Sequence, residues 1–432
     1  MVALQFKHFK LDIMRKEMKE VTLQEISHLI TDGKHGDCKN QEGSGYYFVS
    51  CKDVKDGAIL YNQSRQITKK DFLETQRRTR FEPYDILITN SGTIGRMAIA
   101  KEIPETYNTT FQKSVAIIKP KKEIVYPHWL YYYLLSEVKN IDNLSGGTAQ
   151  KNLLLRDLRA IKLFIPDYIT QCNIATTLSA YDDLIKNNLK RIKLLEELAQ
   201  RTYEEWFVKF RVNSEQLEMN EKTGLPEGWE KKKLKEVALI NKKIIKKNFK
   251  GKLKYVDISS VSAGKIDSFT EYEFEDAPGR ARRIVLNGDI IWSCVRPNRK
   301  SYSIIWNPEE NLIASTGFAV ITPNALPSSY LYQFVTTDAF VGYLTNLATG
   351  AAYPAVTSNA FEEAEIVVPV KEIVELFDMK FKPVHDSISN LLNQNRDLKE
   401  SRDILLPRLM SGMINIDNGT STSLGVQGNV EC

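Results

Sequence analysis

The sequence predicts an α+β fold built from two copies of one strand-rich domain, each copy followed by a long helix. Three observations predict it. The chain resembles itself at a nearly constant offset, its short β-branched runs recur in the same order, and its two longest helical stretches share one heptad frame. Phe111-Gln112-Lys113-Ser114-Val115-Ala116-Ile117-Ile118-Lys119-Pro120 aligns with Ala314-Ser315-Thr316-Gly317-Phe318-Ala319-Val320-Ile321-Thr322-Pro323 at an offset of 203. At the same offset Gly147 falls on Gly350, and Ile165-Pro166 on Val368-Pro369. Tyr84-Asp85-Ile86-Leu87-Ile88 meets Gly288-Asp289-Ile290-Ile291-Trp292 at 204, and Phe48–Val54 meets Tyr255–Val261 at 207. An offset that drifts through loops and holds in periodic segments is the mark of a duplicated domain.

Each copy opens with short strands. Ile86-Leu87-Ile88-Thr89, Ser114-Val115-Ala116-Ile117-Ile118 and Phe318-Ala319-Val320-Ile321 are β-branched and bounded by Gly, Pro, Asn or Asp, which is the strand signature. A helical stretch follows around 127–140 in one copy and 327–345 in the other. The strand-rich domains are expected at 17–166 and 227–369, with a long helix over 167–212 and another over 370–412. In the second helix Phe381, Ile388, Asn395 and Arg402 fall at a, and Val384, Leu391, Leu398 and Leu405 at d. Carrying that frame back by 203 puts Leu178, Ile185, Ile192 and Ala199 at a, and Tyr181, Asn188, Leu195 and Thr202 at d. A core helix of an ordinary domain would be shorter and would not recur in frame. The two helices are therefore expected to form a coiled-coil seam with each other. The seam is nominated as Ile185, Ile192, Leu195, Val384, Ile388, Leu391, Asn395 and Leu398, with Asn188 and Asn395 fixing its register. Residues 213–226 are polar and breaker-bearing, hence a linker. The stretch 413–432, rich in Asn, Gly, Ser and Thr, is expected to be a frayed tail.

Composition narrows the function classes. The 432 residues are 42% hydrophobic and 26% charged, a globular balance. No run approaches 18 consecutive apolar residues, so a membrane-spanning chain is excluded. The N-terminal decapeptide has no apolar core of a secretory signal. The five cysteines are scattered without disulfide or zinc spacing. A cytoplasmic protein is expected. There is no Gly-x-x-x-x-Gly-Lys-Ser/Thr loop, no His pair at metal-ligand spacing and no Asn-Pro-Pro-Tyr tetrad of an amino-methyltransferase. Ser91-Gly92-Thr93-Ile94-Gly95 reads as a loop after a strand. The residues point to binding rather than catalysis, with no cofactor in this chain and no metal.

The net charge is only +5, but its distribution is uneven. Residues 231–254 carry eleven lysines against the single acid Glu236. Arg77, Arg78 and Arg80 form a second basic cluster, and Arg280, Arg282, Arg283, Arg296, Arg299 and Lys300 a third. One charge run usually marks a solvated face, whereas three on a nearly balanced chain point to a polyanion.

These residues together resemble the specificity subunit of a type I restriction-modification system. The resemblance covers 17–412. It rests on Leu225-Pro226-Glu227-Gly228-Trp229-Glu230, Thr31-Asp32-Gly33-Lys34-His35-Gly36-Asp37, Tyr47-Phe48-Val49 and Gly288-Asp289-Ile290-Ile291, followed by Thr349-Gly350-Ala351-Ala352-Tyr353-Pro354 and the closing Leu405–Gly412. The first domain departs from the family pattern in having Lys19-Glu20-Val21-Thr22-Leu23 where the second has its Leu-Pro-x-Gly-Trp opening. The resemblance implies two target-recognition domains reading a bipartite, asymmetric double-stranded DNA target. It also implies two methyltransferase (modification) subunits held on the helices, and restriction subunits in a larger complex. S-adenosylmethionine, ATP and Mg²⁺ would belong to those partners, whose assembly would be an adenine-specific methyltransferase and ATP-dependent endonuclease. An antiparallel coiled coil would relate the two domains by a pseudo-two-fold. A seam over 171–206 would span about 54 Å, on the order of one and a half turns of B-DNA.

Arg and Lys suit guanine edges and phosphate, and Asn and Gln suit adenine. The DNA-binding candidates are Lys34, His35, Asn90, Arg96, Gln150 and Lys151 in the first domain. In the second they are Arg296, Asn298, Arg299, Lys300 and Tyr353. Lys242, Lys243, Lys246 and Lys247 are expected to meet phosphates. The alternative is a coiled-coil adaptor that binds only proteins.

Overall fold

A computed structural model of the protein describes residues 18–143, 152–246 and 248–414. The chain forms two compact units, one from residues up to Ile185 together with those from Asp397 onward, the other from Lys186–Arg396. Both unit boundaries fall inside the long helices, so each unit contains part of both. No helix is long and apolar enough to cross a membrane among the described residues.

In the first unit Val115–Pro120 lies between Ser27–Asp32 and Ile86–Thr89, and Met97–Ile99 completes an antiparallel four-stranded sheet. Tyr47–Val49 pairs in parallel with Thr109–Phe111 and antiparallel with Arg65–Gln66. Lys19–Thr22 pairs with Lys162–Ile165, closing the domain on its own end. Ile86, Ile88, Ala116 and Ile118 alternate toward one face of the main sheet and pack with Trp129, Leu130 and Leu134 of the helix Pro127–Ser136. Leu87, Val115 and Ile117 point to the other face and join Phe81 and Phe111. Both faces are covered, so these strands are apolar along their length rather than alternating.

The second unit repeats the plan. Phe318–Pro323 lies between Ala238–Ile240 and Ile290–Ser293, with Tyr302–Ile304 outermost. Glu230–Lys233 closes on Glu365–Val368. The offset read from the sequence is reproduced in backbone bonds. Asn90 N donates to Ser114 O (3.0 Å), and Cys294 N to Gly317 O (2.8 Å); Leu153 N donates to Asn90 O (2.8 Å), and Val356 N to Cys294 O (2.9 Å). The helical stretches expected around 127–140 and 327–345 are each two helices, Pro127–Ser136 with Val138–Asn143, and Ser328–Thr336 with Asp338–Leu347. In the second pair Thr337 breaks the path with extended backbone and caps the next helix by accepting from Phe340 N.

One segment departs from the shared plan. Lys69–Thr79 is a helix packed beside Thr109–Phe111, whereas Ala281–Ile284 is a strand hydrogen-bonded to Leu312–Ser315, the equivalent of that strand. Both lead directly into a buried residue, Phe81 or Val285.

The long helices run over Tyr168–Tyr203, continuing as a π-helical turn at Glu204–Val208, and over Lys371–Met410. Within the first unit Leu178 shares a core with Leu406 and Leu409, while Asp182 farther along meets Arg402 at 2.5 Å. Within the second unit Asn188 Nδ2 donates to Asn395 Oδ1 at 3.0 Å, and Ile192 packs with Leu391 and Ile388. In each unit residue numbers rise along one helix as they fall along the other, so the pairing is antiparallel. Ile185, Ile192, Ile388, Leu391 and Asn395 are buried, and Leu195, Val384 and Leu398 half-buried. Arg402, a charge at an a position, is accommodated by carboxylates of Asp182 and Asp403. The segment 213–226 forms most of two small hairpins, Arg211–Val212 with Glu215–Gln216 and Met219–Asn220 with Leu225–Pro226. Asn213 and Ser214 supply the two positive φ values (53° and 73°) that a two-residue hairpin turn requires. The tail beyond Ile414 lies outside the described residues.

Two outcomes follow from this packing. Leu391→Asp places a carboxylate among Ile192, Ile388 and Val384, at a cost of several kcal/mol if it stays unpaired; thermal unfolding of the full chain should shift strongly downward, and an unchanged midpoint would contradict the seam. His385 of the second helix is buried between the rings of Trp306 and Tyr332. Burial lowers its pKa to about 4, against a smaller opposing pull from Asp378 and Asp386. The unfolded chain therefore binds the proton more readily, and this contribution to stability is present above pH ~6.5 and lost as pH falls toward 4, by roughly 3 kcal/mol at most. Melting at pH 7 and pH 4.5 should show a smaller acid loss for His385→Phe than for the natural chain; equal losses would contradict the assignment.

Candidate nucleic-acid interface

In the second unit the chain leaves the buried strand Ile290–Ser293 through a loop whose tip is one 3-10 turn, Pro297–Arg299. Arg296 and Lys300 bracket that turn with left-handed backbone (φ 51° and 54°), a conformation that costs of order 1 kcal/mol or more for a non-glycine residue. The surroundings hold it. Arg296 N donates to Pro354 O (2.7 Å), its Nη2 to Ala352 O (3.0 Å), and its guanidinium lies 4.4 Å from the Tyr353 ring centroid. Lys300 Nζ reaches Asp338 Oδ1 at 2.7 Å. Asn298 and Arg299 at the tip are exposed, and Tyr353 is 69% exposed. The five residues nominated from the second domain thus form one cluster, although Tyr353 is more than fifty residues from the others. Such a rigid, basic, aromatic-bearing tip can present donors to a base edge and a stacking face.

The first unit's candidates are more dispersed in role. Gly33-Lys34 runs against Phe111-Gln112-Lys113: Lys34 N donates to Phe111 O (2.7 Å) and Lys113 N to Lys34 O (3.0 Å). A Cβ on Gly33 would sit 2.1 Å from Phe111 O, so only glycine permits this approach. Lys34 Nζ is half-buried and reaches Glu74 at 3.2 Å. His35 is exposed, with Nε2 3.0 Å from Asp32, a carboxylate that also binds Arg78. Arg96 is half-buried at the end of the Ser91–Gly95 loop. Asn90, expected to contact DNA, is instead buried, at 8% exposure, with its Oδ1 lacking a partner. Its backbone bonds to Ser114 and Leu153 draw it into the scaffold. Gln150 and Lys151 lie outside the described residues. The structure also brings Gln112 and Lys113 beside Lys34 and next in chain to Ser114, which accepts from Asn90 N, and neither carries a signal in the sequence.

The lysine-rich stretch is not one surface. Lys232 pairs with Glu230, Lys233 and Lys235 with Glu363, and Lys254 with Glu309. The two lysines hold the Glu363 carboxyl down at about 2. Lys242, Lys243 and Lys246 are exposed and have no ion-pair partner among the described residues; Lys247 lies outside them. Their segment runs beside the arginine cluster: Ile245 N donates to Arg282 O (2.9 Å), and Ile284 N to Lys243 O (3.1 Å). Two basic clusters distant in sequence therefore form one edge. Arg280 O accepts from Thr316 N next to Gly317, which ties that edge to the base of the Arg296 loop. No group of three or more His, Cys, Asp or Glu suited to a metal occurs among the described residues.

The description "Type I restriction modification DNA specificity domain" matches this chain twice, over residues 15–198 and 226–394. The chain belongs to this family. The two matches fall on the two copies of the domain, each with a long part of its following helix. A full-length relative, the type I restriction enzyme MjaIX specificity subunit of Methanocaldococcus jannaschii, is 25% identical over 398 residues, covering 88% of this chain and 89% of that one. The HindI specificity subunit of Haemophilus influenzae is 24% identical over 389 residues, covering 69% and 80%. The crystal structure of the type I restriction-modification S subunit from M. genitalium matches with a TM-score of 0.53 and 15% identity, covering 92% of this chain and 96% of that one, and shares the fold. This specificity subunit of a type I restriction-modification system thus carries two repeats of a DNA specificity domain, and the protein-only adaptor reading is not favoured.

The basic edge has a measurable signature. Changing Lys242, Lys243 and Lys246 to Ser should weaken binding to all DNA sequences alike. It should reduce the log–log salt slope by about 0.9 for each phosphate no longer neutralised. Fluorescence anisotropy between 50 and 200 mM salt (roughly the range where such slopes are resolved) reads this; an unchanged slope would make the three lysines a solvated face.

Proposed function

We propose that each recognition domain of this specificity subunit reads one half of a bipartite, asymmetric DNA target, while the paired helices hold the modification subunits, two in number. Restriction subunits join the same complex. Methyl transfer to adenine and ATP-driven cleavage belong to those partners, with their S-adenosylmethionine, ATP and Mg²⁺, and this chain positions DNA in the cytoplasm without catalysing a step. The observation that carries the reading is a shared scaffold with unlike tips. The bonds Asn90–Ser114 and Cys294–Gly317 anchor equivalent loops. Beyond them one loop reads Ser-Gly-Thr-Ile-Gly-Arg and the other Val-Arg-Pro-Asn-Arg-Lys. Base edges are distinguished by the side chains offered to them, so unlike tips on one frame imply unlike half-sites. The two methyltransferase subunits would follow from the duplication of the helices, each repeat supplying one seat.

Replacing Arg296, Asn298 and Arg299 by Ala should relax one half of the target, by about 1–3 kcal/mol for each bidentate base pairing removed, and leave the other half intact. Methylome sequencing of cells carrying the variant with its partner subunits reads both halves at once. Loss at both halves together would replace two independent readers by a single composite surface.

A further inference from the structure

Most arginines around the recognition domains are engaged. Arg78 binds the Asp32 carboxylate and Thr31 Oγ1, Arg65 binds Asp37, and Arg282 donates to the Ala281 carbonyl while lying over Phe274. Arg65 Nε is also shielded without a partner, but its Nη2 is anchored; Arg283 has no such anchor among the described residues. Its side chain is half-buried, its Nε is shielded from solvent without a hydrogen-bond partner, and no carboxylate reaches it among the described residues. A shielded N–H without an acceptor is held at a free-energy cost, which an incoming acceptor would recover.

The fold holds this side chain in place. Arg283 lies on the strand Ala281–Ile284, opposite Ala314 on one side and Ile244 on the other. Between Ala281 and Arg283 the register shifts, so Arg282 is the extra residue of a β-bulge. Bulges re-aim the side chains beside them and recur next to functional sites. Burial lowers the Arg283 guanidinium pKa, against a smaller opposing electrostatic pull from Cys294, the residue from which the Arg296 loop departs. The equivalent stretch of the first domain is the helix Lys69–Thr79, whose Arg78 is already paired with Asp32. At this position the second domain therefore carries an arginine without an acceptor where the first carries a paired one.

We propose that Arg283 is a specificity-determining residue of the second recognition domain, presenting its guanidinium to a guanine edge in that domain's half-site. This rests on the two-reader function proposed above. Guanine is favoured over phosphate for two reasons. A strand-held, half-buried guanidinium has the fixed fork that matches guanine O6 and N7. The exposed ammonium groups of Lys242, Lys243 and Lys246, flexible point charges on the neighbouring segment, already suit the backbone phosphates.

The test uses the full chain assembled with its modification subunits, in methylome sequencing and in binding to cognate and scrambled duplexes at several salt concentrations. Arg283→Gln should relax one G·C position in one half-site and lower cognate affinity roughly 10- to 100-fold. Binding to scrambled DNA and the salt slope should stay unchanged. Arg283→Lys, which keeps charge and stem, should relax the same position because it lacks the fork; it carries the test alone if the Gln variant fails to fold. Arg282→Gln, one residue away on the basic edge, should leave the methylated motif unchanged whatever it does to overall affinity. Uniform weakening rescued by Lys would make Arg283 a phosphate contact and overturn the proposal. So would an unaltered target in both Arg283 variants. If the unmodified complex methylates without sequence preference, the two-reader function falls and this inference with it; if it is specific and both variants retain the motif, only this inference falls.

Discussion

The seam between the long helices depends on one polar contact. Within the second unit Asn188 and Asn395, both buried, meet on the helix pair whose neighbouring turns pack Ile192, Ile388 and Leu391 together. Apolar side chains alone would tolerate a slip of one heptad, since Ile and Leu recur every seven residues on both helices. The amides do not tolerate it. A slip would bury each of them against aliphatic carbon, and each unsatisfied group costs about 1–3 kcal/mol. The pair therefore selects one register among several of similar hydrophobic energy, a use of buried asparagine known from coiled coils. Everything that requires the helices to present a fixed set of residues rests on that choice. The Asp182–Arg402 ion pair of the first unit, with Tyr132 OH donating to Asp182 at 2.6 Å, is consistent with the same register.

The recognition domains meet a different constraint. A loop that varies must not carry the bonds that hold the fold. Here the anchoring bonds are backbone to backbone: Asn90 with Ser114 and Leu153, and Cys294 with Gly317 and Val356. Such bonds are indifferent to side-chain identity, so Asn in one copy and Cys in the other occupy the same anchor. The side chains beyond the anchor are free to differ. The same freedom reaches the flanking element, where a helix at Lys69–Thr79 and a strand at Ala281–Ile284 cover the same neighbouring strand. Only the buried residue that follows, Phe81 or Val285, is fixed in character.

The duplication, the seam and the strands are legible in the sequence because each is written in a period. Offsets near 203, heptads and short β-branched runs survive the divergence of everything between them, and the structure places Ile86–Thr89 and Ile290–Ser293 as equivalent central strands. The interface is legible only in part, because charge pairing is not periodic. Lys233 and Lys254 look free in sequence, yet their partners Glu363 and Glu309 lie 130 and 55 residues away. Asn90 looks like a loop residue because Gly92 and Gly95 follow it, but its backbone bonds pull it inward. Conversely, Gln112 and Lys113 follow a strand without any local signal, and only the parallel pairing of Lys34 with Gln112 brings them to the site.

Pairing also explains why a net charge of only +5 is compatible with binding a polyanion. Affinity for phosphate depends on the charges that can release counterions where protein meets DNA, not on the sum over the chain. Acidic residues that neutralise Lys232, Lys233, Lys235 and Lys254 lower the total without touching the edge formed by Lys242, Lys243 and Lys246. On the function proposed above, such local neutralisation would limit phosphate contacts elsewhere on the surface, where each one would dilute discrimination between sequences. Three lysines unpaired among the described residues, Lys242, Lys243 and Lys246, thus lie on the segment bonded to the strand Ala281–Ile284, whose neighbour Arg280 is tied to the base of the Arg296 loop. On the two-reader function proposed above, that placement would supply enough phosphate attraction to hold the duplex and leave base recognition to decide whether it stays.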